Sequence, residues 1–93
     1  MHVYIRGKRW RLIFGGIRHN ADYIGKCDSP TDKDKTIRVC GRLRGEHRLE
    51  TIIHELLHAG SWDLDETAVR ELAKDMGRTL TRLGYCCPAE TPE

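Results

Sequence analysis

No apolar run in the 93-residue chain approaches the roughly 18 residues that a membrane-spanning helix needs. The N-terminal apolar positions are interrupted by His2, Arg6, Lys8, Arg9 and Arg11, where a signal peptide would carry an unbroken core. Both absences predict a cytoplasmic protein with no membrane partner. Repeats, linkers and low-complexity stretches are also missing, so the expected organisation is a single domain over 1–85 with a short tail over 86–93. A surplus of one charge is missing as well: 16 Lys/Arg face 14 Asp/Glu, and 39% of residues are hydrophobic, which excludes a disordered polyampholyte. The cysteines Cys27, Cys40, Cys86 and Cys87 lack the close C-x-x-C pairing of zinc ribbons. In a chain without a signal peptide they are expected to stay free thiols. A chain this short hides only about 60–65% of its unfolded surface, so a bound metal or partner would add noticeably to its stability.

Charge is present but divided. Residues 1–48 carry 12 Lys/Arg against 5 Asp/Glu and residues 49–93 carry 4 against 9, so the halves stand at +7 and −5. A basic half can serve nucleic acid, or it can reflect strands with solvated Arg beside helices with solvated Glu, a reading that needs no partner. Val3 and Ile5 alternate with polar residues, as do Trp10, Leu12 and Phe14, which predicts a hairpin with Gly7-Lys8 at its tip. Tyr23–Cys27 and the β-branched Thr36–Cys40 read as further strands, divided by Asp28-Ser29-Pro30-Thr31-Asp32, a turn sequence. From Glu46 the period changes: Leu49, Ile52, Ile53 and Leu56 mark one helical stripe that ends at Gly60. A second helix is expected from near Asp63 to about Gly84, with Val69, Leu72, Ala73, Met76, Leu80 and Leu83 on its buried face and Gly77 as its weak point. The fold class is therefore α+β, a small and mostly antiparallel sheet packed on two antiparallel helices.

The first helix contains His54-Glu55-Leu56-Leu57-His58, an uninterrupted H-E-x-x-H. Residues i and i+4 are neighbours on one helical face, so the two imidazoles can grip one metal ion while Glu55 leans over the open coordination position. Both histidines fall outside the apolar stripe, on a face free to bind.

Thr51-Ile52-Ile53-His54-Glu55-Leu56-Leu57-His58 resembles the active-site helix of zincin metallopeptidases, in particular small single-domain ones of bacteria and phages. The resemblance implies a zinc ion, one per chain, held by His54 and His58, with Glu55 as general base. It also implies that the strand before the helix, Thr36–Cys40, lies along the cleft and pairs with extended substrate. The metzincin extension fails, because Ser61 and Leu64 occupy its Gly and His positions. A downstream histidine ligand, as in SprT-like proteases, finds no match in these residues, since no His follows His58. A gluzincin-like third ligand would be a Glu on the next helix. Glu66 falls about 60° from Val69, at the edge of the apolar face, and Glu71 at about 200°, toward solvent, so Glu66 is the expected ligand. Asp65 and Asp63 follow it as candidates, and a capping box with Asp63 as N-cap and Glu66 at N3 is the competing account of Glu66. The position four residues after Glu66, often acidic in gluzincins, is Arg70.

These readings predict a zinc-dependent peptidase acting on protein or peptide substrates, with nucleic acid as a further partner of the basic half. The alternative is a zinc-containing protein- or nucleic-acid-binding module without peptidase activity. Trp10 and Trp62 are expected in the core or at a rim, and His19 and His47 on the surface.

Overall fold

The computed structural model describes residues 1–17 and 24–85. Tyr23 and His19, and the tail with Cys86 and Cys87, lie outside the described residues. Four strands, β1 (His2–Ile5), β2 (Lys8–Phe14), β3 (Gly25–Cys27) and β4 (Thr36–Val39), precede two helices, α1 (Gly45–Gly60) and α2 (Glu66–Arg82). The sheet order is β1-β2-β4-β3, with β1–β2 and β3–β4 antiparallel and β2–β4 parallel. The fold is thus α+β with a mixed, mostly antiparallel sheet.

The hairpin turns one residue earlier than the Gly7-Lys8 expectation. Ile5 pairs with Lys8, and the two loop residues Arg6 and Gly7 both have positive φ, 51° and 80°. A two-residue loop of this type matches the right-handed twist of its strands but needs left-handed backbone at both positions. Gly7 takes the second freely, and Arg6 accepts the first. The Arg6 guanidinium then donates from Nη1 to the Gly60 carbonyl at 3.2 Å, tying the hairpin to the end of α1.

Alternation in the strands gives the sheet two unlike faces. Trp10, Leu12, Ile37 and Val39 point inward and are buried with Ala59, and Val3, Ile5, Ile52 and Leu56 pack around them. Helix α1 covers this face and α2 rests on α1, so α1 is the middle layer and not one of two helices side by side on the sheet. Its burial is consequently wider than one stripe, taking in Thr51, Ile53, Glu55 and Ala59. Trp10 belongs to the core, and among the described cysteines Cys27 and Cys40 are free. Cys27 pairs with Ile37, whereas the Cys40 amide bonds to Ile24, so the two thiols do not face each other. No described helix is long and apolar enough to cross a membrane.

Helix α2 departs most from expectation. Leu72, Met76 and Leu83 are 43%, 41% and 65% exposed, and the buried residues are Val69, Ala73 and Gly77. A Cβ on Gly77 would lie 3.3 Å from Glu50 Cα, so the helices cross closely there, and the small-residue edge of α2 faces α1 in place of its large apolar one. Contacts between Glu50 and Gly77 at one end and between His58 and Glu66 at the other make the helices antiparallel. We expect Gly77→Leu to force them apart, costing about 1–3 kcal/mol, measured as a lower urea midpoint.

Candidate metal centre

His54 and His58 stand one turn apart on α1, with ring centroids 4.9 Å apart. Glu66 is the first residue of α2. After α1 ends, a turn closed by the Leu64 amide on the Ser61 carbonyl reverses the chain. Asp65 then caps α2, its carboxylate accepting from the Thr67 amide at 2.7 Å. This cap bears on two of the alternatives. Asp63 is not the N-cap, so the competing capping box does not form, and Asp65 is engaged with backbone. The Glu66 carboxylate instead bridges both rings, Oε1 lying 2.9 Å from His58 Nε2 and Oε2 3.1 Å from His54 Nε2. Arg70, one turn on, approaches Glu66 Oε2 at 3.8 Å, and Glu71 is exposed outside the cluster.

The donor set suits a divalent transition ion. Two imidazole nitrogens and one carboxylate oxygen lie within 4.8 Å of one another, a ligand combination characteristic of catalytic zinc with an open position. The two His–Glu separations are close to the roughly 3.3 Å between tetrahedral ligands that stand about 2.0–2.1 Å from an ion. With its side chain 53% exposed, Glu66 has room to adjust. Burial first of all lowers the His54 pKa, outweighing the opposing pull of Glu66, and the neutral ring is the form that binds metal.

Glu55 faces the sheet side of the same cleft and is 6% exposed. Its carboxyl is pushed up to about 7, by burial and then by the charge of Glu66. The room it occupies exists because residue 25 is glycine: a Cβ there would stand 2.6 Å from Glu55 Oε2. The sequence reading missed Gly25, although a glycine inside a strand pattern is a signal of close approach by another group. Cys27 lines the cleft as well. Burial, then the charges of Glu55 and Asp28, raises its thiol to about 12, so in the metal-free protein it stays protonated at neutral pH.

The cleft, about 590 Å³, runs between β3 and α1 and is also lined by His47, Trp62 and Glu66. Trp62 is 46% exposed, a rim residue whose ring meets His58 edge-on at 6.3 Å. The strand beside the cleft is β3, not β4. Because β4 is hydrogen-bonded to β2 on one side and β3 on the other, it has no edge left to offer, which corrects the expectation for Thr36–Cys40. No protein-family model, curated protein or solved structure matches the chain.

Metal analysis of the purified protein should find one zinc per chain, and chelation should lower its melting temperature, because the unfolded chain has no formed site. Glu66→Gln should weaken zinc binding on the order of 100-fold, whereas Glu71→Gln should leave it unchanged. A second expected outcome concerns pH. Folded metal-free protein holds the Glu55 proton up to about 7, against an ordinary value of 4.5. That contribution to stability is complete at low pH and is lost as pH rises through the window between them. With chelator present, Glu55→Gln should melt higher than wild type at pH 8 and equally at pH 4, by calorimetry.

Proposed function

We propose that the protein is a zinc-dependent metallopeptidase of the H-E-x-x-H type, gluzincin-like in its third ligand, cleaving peptide bonds in extended substrates. The observation that carries this reading is the convergence, in one cleft, of a His54–His58–Glu66 donor set and a buried carboxylate, Glu55, that is not part of the set. A structural zinc site is normally closed by four protein ligands, and three with an adjacent acid favour catalysis.

When bound, zinc would supply Lewis acidity toward the scissile carbonyl and acidify water. The rest falls to the chain. His54, His58 and Glu66 hold the ion. Glu55 takes a proton from the attacking water on its carboxylate and delivers it to the departing amine; a pKa near neutrality suits both transfers. Among the described residues the outer edge of β3 is unpaired in the sheet, and it borders the cleft, so an extended peptide can add to it as a further strand and be oriented across the donor set. Trp62 and Ile24 supply apolar flanks to that path.

The deciding comparison is Glu55→Gln against wild type on unstructured protein substrates, with zinc content and fold checked in both. We expect full zinc occupancy in the variant and a fall in kcat of about 10²–10⁴-fold, the usual contribution of a general base. Equal cleavage by both proteins, or none by wild-type zinc protein, would overturn the proposal.

A further inference from the structure

Among the described residues no helix or strand covers the sheet face turned away from α1, although Gly16 stands against the Arg38 side chain and Thr36 is buried, and the charges of the face are mostly basic. On β2, Arg9 and Arg11 point outward, opposite Tyr4 and His2 of β1. On β4 and β3, Arg38 and Lys26 point outward and are directly paired with each other. Among the described residues, none of these four cations lies within ion-pairing distance of a carboxylate. The acid at the margin, Asp28, is engaged: its Oδ2 accepts from the Thr36 amide at 3.1 Å. A sheet face that merely meets water usually mixes both signs and pairs opposite charges across strands, because like charges facing each other are destabilising. Here the fold keeps Lys26 directly against Arg38, and Arg9 Nη2 donates to His2 Nδ1 at 3.4 Å instead of to a carboxylate.

We propose that this open face is a binding site for single-stranded nucleic acid, separate from the cleft and independent of the peptidase reading. Charge complementarity calls for a polyanion, and the aromatic content selects among polyanions. Tyr4 is 70% exposed directly opposite Arg9, unlike Phe14, whose ring Arg48 covers at 4.4 Å. An exposed ring among guanidinium planes is a stacking platform for unpaired bases, with the cations tracking phosphates. A duplex would ask for an element that projects into a groove, and both helices lie on the other side of the sheet. An anionic membrane would ask for projecting apolar side chains, whereas Ile13, the aliphatic residue of this face, is half-buried. The field of the cations reaches His2, whose imidazole is pushed below its ordinary pKa, by Arg9 above all.

The test titrates the full chain against a fluorescein-labelled oligothymidine of about 20 nucleotides, long enough to span the sheet. A duplex of equal length and phosphatidylserine vesicles serve as competitors. We expect micromolar or tighter binding at low salt that weakens linearly in log–log form as salt rises. Arg9→Gln with Arg11→Gln should weaken binding at least tenfold and reduce the salt slope by roughly 1.4, about 0.7 for each phosphate that is no longer neutralised. Tyr4→Ala should weaken binding with the slope unchanged. Lys26→Gln should weaken binding while raising the melting temperature, by removing the like-charge pair. Lys74→Gln with Arg78→Gln, on α2, should bind as wild type. Absence of binding at about 50 mM salt, equal losses from the α2 and sheet variants, no effect of Tyr4→Ala, or tighter binding to duplex or vesicles would each overturn the proposal.

Discussion

The arrangement of this molecule depends on how closely α2 can lie against α1. At Gly77 a missing side chain lets one helix approach the Glu50 backbone. That approach fixes the helical pair along its length, and only then does the first residue of α2 fall beside the histidines of α1. At the other end of the pair, the short connection 61–65, closed by the Leu64 amide on the Ser61 carbonyl, sets Glu66 2.9 Å from His58 Nε2 and 3.1 Å from His54 Nε2. The donor set is therefore a property of the helix crossing more than of the motif.

The same middle helix bears a second burden on its sheet side. Burying Glu55 beside Gly25 and Cys27 places a carboxyl where an apolar residue would stabilise a thin core better. A small domain has little stability to spare for such a group. Retaining it there makes sense if the carboxyl is used, and the proposed metal would offset its cost by binding the folded state alone. Stability and the proposed chemistry thus meet on α1: one face holds the core together, another holds the two histidines, and a third carries the acid.

The sequence was legible where local rules decide. Period and β-branching located the strands and helices, and H-E-x-x-H located the histidines, because i, i+4 spacing needs no tertiary information. Helical phase also placed Glu66 near α1 and Glu71 away from it. Leu72, Met76 and Leu83 are exposed against expectation, because hydrophobicity alone does not choose the buried edge of α2; close packing favours the small edge of Val69, Ala73 and Gly77. Strand order was equally out of reach: the resemblance puts β4 along the cleft, and β4 is interior because β2 pairs with it in parallel on one side and β3 on the other. Gly25 is informative only once Glu55 is seen against it.

The three proposed ligands lie on a contiguous helical hairpin, within residues 54–66, whereas the enclosure of Glu55 needs β3, and β3 needs β4 and β2. Local contacts form early in folding and distant strand pairings late. The corner proposed to bind the ion can accordingly be complete while the sheet is still open, so on the proposed reading the means to capture a metal would precede the sheltered setting of Glu55. On that reading, a newly made chain would hold its ion before its general base was in place.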